Sequence, residues 1–319
     1  MQKYNYQTIC HSNLLKDLPS RHKDVIARRF GLNGEKETLE SIGHDFGITR
    51  ERVRQIQDDS LNKLEGKMDL PIFRNVFHNF LNYFEKAGSL KRENLLIQDL
   101  GGEKFQNYVS LLLTVGKPFQ RYGETEDFYS FWAIDRGAFN VARKTIDEFA
   151  NLLNEKNAPM ALPKGVLLSH IEISKNILKG SQGLYGLKHW PEINPRGIKD
   201  KAYLVMKQGK HPLHFTDVAK SIGDGALVQT VHNELIKDQR FVLVGRGLYA
   251  LKEWGYEPGV VKEVIARTID NAGGELDKDT IVEEVLKQRQ VQPNTILLNL
   301  QNSKYFLKNS EGKYTIRRA

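Results

Sequence analysis

The sequence has almost no cysteine and no long apolar run, and both shortages limit what the chain can be. Cys10 is the one cysteine among 319 residues, which excludes an internal disulfide and fits a reducing cytoplasm. No apolar stretch reaches the roughly 18 residues of a membrane-spanning helix. The first ten residues also lack the apolar core of an export signal. We therefore expect a cytoplasmic protein.

Motifs for catalysis and for cofactor or metal binding are missing as well. The sequence contains no Gly-x-x-x-x-Gly-Lys-Ser/Thr phosphate loop, no His-Glu-x-x-His motif and no Cys-x-x-Cys pair. His211 and His214 are three residues apart, but no third metal ligand accompanies them, so a structural role is expected. The sequence thus predicts a protein that is not an enzyme and has no cofactor or metal site.

Charge is present in moderation and of both signs. Charged residues make up 27% of the chain, and the formal net charge is +8, but no segment forms a basic tail. If the protein binds nucleic acid, individual faces of folded domains must do so.

Residues 14–64 predict a compact unit of three helices. The first helix is expected from Arg21 to Phe30, and the second begins near Thr38. Gly47 suits a tight turn between two helices because it tolerates a positive φ. Thr49 is then a favourable N-cap for the third helix. This order is typical of a helix-turn-helix.

The third helix carries the side chains best suited to DNA recognition. Val53 and Ile56 are its main apolar residues and must face the core, which leaves four side chains exposed near its N-terminus: Arg50, Glu51, Arg54 and Gln55. In a helix-turn-helix this end enters the major groove, where Arg pairs with guanine, Gln with adenine and Glu with cytosine. The alternative interpretation is a solvated, salt-bridged helix face.

A repeat dominates the C-terminal half. Gly183–Trp190 matches Gly247–Trp254 at an offset of 64 residues, and Gly312–Ile316 repeats the pattern 65 residues further on. A weaker copy, Phe128–Trp132, lies upstream. Each copy ends a run of helical segments with a strand, a turn and a strand, and three helices followed by a β-hairpin make a winged helix.

The predicted fold is therefore mainly α, with a helix-turn-helix domain at residues 1–67 followed by tandem winged-helix modules. Four such modules are placed at the following ranges: 72–134, 137–190, 201–255 and 260–317. Residues 65–71 and 255–259 are expected to be linkers, and the second should be open to proteases because it is rich in Gly and Pro.

The N-terminal residues resemble region 4 of housekeeping-type bacterial sigma factors, with matching spacing in Leu18–Leu32, Glu37–Ile56 and Leu61–Leu64. The resemblance implies contacts to a −35 promoter element of the TTGACA kind by Arg50, Glu51 and Gln55, and to the backbone or adjacent bases by Arg52 and Arg54. It also places Arg28, Arg29 and Thr38 near phosphates. Phe30 corresponds to an aromatic residue that docks on the flap of the RNA polymerase β subunit, with plain core packing as an equal alternative.

Residues 201–255 resemble the HARE-type winged helix, in His211–Ala219, Val231–Leu235 and Asp238–Trp254. That module occurs in the delta subunit of bacterial RNA polymerase and in chromatin and restriction proteins, and the resemblance implies binding to DNA or polymerase. The resemblance assigns no binding residues here, and Phe241, Tyr249 and Trp254 are expected in the core.

Three functional hypotheses follow. The first is a DNA-binding transcription factor whose partners are double-stranded DNA and RNA polymerase, which implies a location at the bacterial nucleoid. The second is a delta-like polymerase accessory subunit acting mainly by protein contacts, and the third is a DNA-targeting subunit of a restriction or defence system. The exposed side chains of the third helix favour the first over the second. Because sigma factors melt promoters with aromatic helices that precede region 4, we expect no promoter opening by this chain alone. Target sites, the direction of regulation and the oligomeric state stay open.

Overall fold

A computed structural model describes residues 4–223 and 225–317. The chain is mostly helical, as predicted, with short antiparallel strands, and it divides into two compact units, Met1–His189 and Trp190–Ala319. Among the described residues, no helix is both long and apolar enough to span a membrane.

The first unit begins with six helices. They are α1 (Tyr6–Ile9, continuing as a π-helix over Cys10–Leu15), α2 (Ser20–Phe30), α3 (Leu39–Phe46), α4 (Arg50–Glu65), α5 (Pro71–Lys86) and α6 (Glu93–Val115). The three predicted N-terminal helices are thus confirmed as α2, α3 and α4.

The turn between α3 and α4 depends on two glycines and a threonine cap. Gly47 ends α3 with a φ of 61°, a conformation that favours glycine. Thr49 caps α4 by accepting a hydrogen bond from the Arg52 backbone N–H at 3.2 Å. A Cβ on Gly43 would lie 2.8 Å from the Ile48 carbonyl oxygen, so the two helices approach closely only because Gly43 has no side chain.

Two cores hold α2, α3 and α4. The smaller core contains Val25, Ile42, Val53 and Ile56, all buried. The larger core takes Ile26, Leu32 and Leu64 from the same segment and packs them against residues of α1, α5 and α6. The connection from α4 to α5, predicted as a linker, contributes the buried Met68 to that core. This connection is therefore a packed turn.

A three-stranded sheet is formed by one strand between α5 and α6 and two strands after α6. It consists of β1 (Leu90–Arg92), β2 (Gln120–Tyr122) and β3 (Phe131–Ala133) in the antiparallel order β1-β3-β2. Gly102, with φ 56° and ψ −170°, divides α6 into two helical parts. The rest of the first unit contains α7 (Ala138–Lys156), α8 (Leu168–Glu172), β4 (Ile177–Lys179) and β5 (Tyr185–Leu187).

The segment 137–190 differs from the predicted three helices and hairpin. Its described residues form only α7 and α8, followed by the β4–β5 pair. Pro159, Pro163 and Gly165 occupy the interval between the two helices, and neither residue type supports a helix interior. Met160 forms a bridge to Tyr185 instead.

The second unit contains two successive sets of three helices and three strands. The first is α9 (Gly197–Gly209), β6 (Leu213–His214), α10 (Phe215–Ile222), α11 (Val228–Lys237), β7 (Phe241–Gly245) and β8 (Leu248–Leu251). The second is α12 (Val261–Asn271), β9 (Glu275–Leu276), α13 (Lys278–Gln288), α14 (Pro293–Leu300), β10 (Phe306–Lys308) and β11 (Tyr314–Ile316). In both, the hairpin's second strand lies between the other two strands.

The strand, turn and strand predicted at the end of the repeat copy are present in the first set. They are β7, the turn around Gly247 and β8. Phe241 and Tyr249 are buried in the core, and Trp254 is partly buried against it.

The connection at 255–259 is held by a buried arginine, contrary to the expectation of an unprotected linker. Arg289 is 3% exposed and donates hydrogen bonds to the backbone oxygens of Glu257 at 2.7 Å and Gly259 at 2.8 Å. Gln288 donates to the Gly255 oxygen at 3.1 Å. These partners lie some thirty residues away in sequence. The glycine and proline content of residues 255–259 gives no sign of them, so it predicted a loose segment.

Candidate nucleic-acid interface

The first half of α4 exposes the five polar side chains predicted for recognition: Arg50, Glu51, Arg52, Arg54 and Gln55. Val53 and Ile56, on the opposite side, are at most 4% exposed and fix the helix on the smaller core. A capped helix on a packed core presents its outward side chains in a defined arrangement.

These side chains pair with one another. Arg54 donates to both carboxylate oxygens of Glu51, at 2.7 Å and 3.0 Å, and to Asp58 at 2.5 Å. Arg52 donates to the Gln55 side-chain oxygen at 2.9 Å. The hydrogen bonds from Arg54 lower the pKa of Glu51, so Glu51 is an ionised acceptor at neutral pH. Exposed ion pairs contribute little to stability, so these groups can exchange partners for base edges.

The residues predicted near phosphates are more restrained. Arg28 donates to Glu37 at 2.7 Å and 2.5 Å and also to Asp45. These two carboxylates raise the pKa of Arg28, and their own pKa values are lowered mainly by its hydrogen bonds. Arg28 therefore links α2 to α3, and its guanidinium is already paired with two carboxylates.

Arg29 and Thr38 also make contacts within the domain. The Arg29 Nε atom donates to the Gln57 side-chain oxygen at 2.9 Å, and its Nη1 atom donates to the Glu37 backbone oxygen. Thr38 caps α3 by accepting from the Ser41 backbone N–H at 3.1 Å. Arg29 keeps its charge unpaired in the described residues, since neither acceptor is a carboxylate.

The surface around Phe30 lies against α6 of the same chain. Phe30 is partly buried against the larger core. In the turn that follows it, Asn107 donates to the Gly31 oxygen at 2.6 Å and Tyr108 to the Leu32 oxygen at 3.0 Å. Phe30 thus packs within the chain, which is the alternative to docking on the β flap that the sequence left open. Phe30 also lines a surface groove.

Sequence reasoning missed that groove, which α2 and α4 form together with α6 and the β1–β3 sheet. Four cations line it: Arg29, Lys36, Arg92 and Arg121. They are dispersed over more than ninety residues of sequence, so no charge run marks them. No cluster of three metal-binding side chains occurs in the part of the chain that the structure describes.

Comparisons with known proteins concern the same N-terminal segment. Residues 14–65 match the family model for sigma-70, region 4. RNA polymerase sigma factor RpoS of Coxiella burnetii is 49% identical over 57 residues, which cover 18% of this chain and 16% of that protein. RNA polymerase sigma-C factor of Nostoc sp. is 44% identical over 70 residues, or 22% of this chain and 16% of that protein.

A third similar protein is RNA polymerase sigma factor SigA of Microcystis aeruginosa, 49% identical over 53 residues that cover 16% of this chain and 13% of that protein. The chain thus spans at most 16% of the length of these three relatives. The match coincides with α2, α3 and α4, the helices of the candidate interface. The N-terminal part of the chain, residues 14–65, is thus similar to region 4 of sigma-70 factors.

Proposed function

We propose that this protein is a DNA-binding transcription factor that acts with RNA polymerase in transcription initiation or its regulation. One observation carries the proposal: α4 exposes Arg50, Glu51, Arg54 and Gln55 while its opposite face is buried. In this proposal the N-terminal end of α4 enters the major groove, where these side chains reach base edges.

The site within DNA is a −35-like element of the TTGACA kind, by similarity to sigma region 4. Gln55 and Glu51 supply hydrogen bonds to bases, and Arg52 contacts the backbone. Arg28 is less suited to a phosphate because Glu37 and Asp45 already bind its guanidinium. The preference for one sequence therefore rests on α4.

The second unit, in the same proposal, holds two winged helices, of which residues 201–255 are HARE-type. Their support is the shared order of helix, strand, two helices and hairpin, with equivalent sheets. The segment from α5 to β3 has a similar order, since Gly102 divides α6 into two parts. Such modules supply further contacts to DNA or polymerase.

The polymerase contact has two possible surfaces. The β flap would meet Phe30, whose ring is partly buried against the protein's own core. A delta-like accessory role would use the second unit instead and would not depend on α4. If the protein has this second candidate function, its binding to DNA should show no preference for a −35-like sequence. The same holds for a targeting role in a restriction or defence system.

Fluorescence anisotropy with the full chain tests the proposal. One labelled duplex carries a TTGACA hexamer and the other has the same bases scrambled. We expect tighter binding to the hexamer, and we expect Gln55→Ala to reduce that preference because discrimination at one base pair is lost. Gln98→Ala, at an exposed glutamine of α6, is the matched control and should retain it. Equal affinity of the wild-type protein for the two duplexes would refute sequence reading by α4.

A further inference from the structure

The groove between α2, α4 and the β1–β3 sheet is a large concave surface of the first unit that the region 4 match does not explain. One wall consists of Arg29 and Phe30 at the end of α2 and of Gln57 and Leu61 on α4. The other includes Arg92, at the end of β1, and Tyr129, which precedes β3. Most of that second wall lies outside residues 14–65.

The charges in the groove leave an excess of cations. Two carboxylates line it, and each is paired: Glu93 with Arg121 at 2.6 Å, and Glu124 with Lys175 at 2.5 Å. Arg29, Lys36 and Arg92 have no carboxylate within ion-pair distance in residues 4–223 and 225–317. Three uncompensated cations in one concavity favour an anionic ligand with several charges.

The guanidinium of Arg92 is positioned in the groove by the ring of Tyr129. The guanidinium carbon lies 3.5 Å from the centre of the Tyr129 ring, a stacked cation–π arrangement. Stacking uses the flat face of a guanidinium and leaves the N–H groups at its edge free to donate to phosphate oxygens. The ring thus positions the charge without neutralising it.

The groove lies next to the recognition surface, which consists of the exposed side chains of Arg50, Glu51, Arg52, Arg54 and Gln55 on α4. Arg54, Gln57 and Leu61 fall within a sector of about 60° around the helix, at about 100° per residue. Arg54 belongs to the recognition surface, while Gln57 and Leu61 form a groove wall that begins about one turn further along the helix. A duplex that receives the first turn of α4 would extend past this wall.

We propose that this groove binds the sugar-phosphate backbone of duplex DNA beside the segment that α4 reads. Lys36 and Arg92 are its new phosphate ligands, next to Arg29, which the resemblance to sigma region 4 already places near phosphates. The inference rests on the proposed DNA binding and adds a second, sequence-independent contact to it. Because Arg29 also orders Gln57, Lys36 and Arg92 are the cleaner positions to test.

The test measures the salt dependence of DNA binding by the full chain and by the double variant Lys36→Ala/Arg92→Ala. Each lost phosphate contact should reduce the slope of log K against log salt by about 0.9, and affinity should fall roughly tenfold per contact near 0.1 M salt. The preference for the hexamer over the scrambled duplex should stay unchanged. Arg143→Ala, an exposed arginine on α7 outside the groove, is the matched control.

Two further measurements separate a lost contact from a damaged fold. Lys36→Ala/Arg92→Lys should regain about one unit of slope, because the charge returns. Hydroxyl-radical footprinting should show backbone protection flanking the hexamer that the double-alanine variant loses.

A wild-type slope for the double-alanine variant, or a change no larger than that of Arg143→Ala, would overturn the groove proposal. A reduced slope with wild-type preference supports it. If the wild-type protein binds DNA without preference but the groove variant still reduces the slope, the groove proposal stands and sequence reading by α4 falls. If the wild-type protein does not bind duplex DNA at all, both fall.

Discussion

Arg289 is expected to fasten the connection between the last two helical sets, and its replacement by methionine tests this directly. Methionine keeps an apolar stem of similar length but cannot donate hydrogen bonds. The change leaves the backbone oxygens of Glu257 and Gly259 without their donors, which lie at 2.7 Å and 2.8 Å in the native structure. The expected consequence is local opening of residues 255–259.

The magnitude follows from two opposing effects. A hydrogen bond to a charged group contributes about 1.5–3 kcal/mol, so two of them contribute about 3–6 kcal/mol. Burial of the guanidinium opposes this gain, as the lowered pKa of Arg289 indicates. We therefore expect Arg289→Met to reduce the free energy of opening at 255–259 by about 2–4 kcal/mol.

Limited proteolysis of the full chain provides the assay. When opening is fast relative to cleavage, the cleavage rate follows the open population, so it should rise about 30-fold or more. Arg246→Met is the control, because Arg246 is exposed on the β7–β8 turn. Cleavage at 255–259 that is equally fast in the wild-type protein, or unchanged in Arg289→Met, would refute the reasoning.

Two further predictions concern the region 4 domain. Gly43→Ala should destabilise it by about 1–3 kcal/mol, since the added Cβ meets a carbonyl oxygen at 2.8 Å. Gly34→Ala, which meets nothing within 4 Å, should have little effect, and thermal unfolding that ranks the two equally would contradict the close approach. Arg28→Met should destabilise the domain at pH 7, and less at an acidic pH below the lowered pKa values of Glu37 and Asp45. The two carboxylates bound to Arg28 have lowered pKa values, so their stabilisation is present above their unfolded pKa values of about 4 and lost as the pH falls through the lowered ones. Melting curves whose difference is the same at both pH values would count against this account.

Local patterns were enough to predict the helix-turn-helix. The features that define it act within a few residues of one another, so they can be recognised in the sequence. They are the spacing of Val53 and Ile56, the glycine at position 47 and the cap at Thr49. The exposure of Gln55 followed from the same spacing. The hairpin around Gly247 was predictable for the same reason, because its turn and its alternating strands are contiguous.

Long-range packing was not predictable in the same way. Asn107 and Tyr108 fasten the Gly31–Leu32 turn from 76 residues away, and no local pattern indicates that α6 covers this side of the domain. The groove cations meet only through the fold. The buried Arg289 is likewise an ordinary charged residue in the sequence, and only its position in the structure shows what it holds.

The central claim is that α4 reads bases, and a base-pair substitution scan measures it most directly. Binding of the full chain is measured on hexamer duplexes with single base-pair changes, for the wild-type protein, Gln55→Ala and Glu51→Ala. Each variant should lose about 10- to 100-fold in affinity for the native hexamer and lose discrimination at one position while keeping it at the others. Losses of equal size on all duplexes, with the same positional pattern as the wild-type protein, would contradict base reading by this helix.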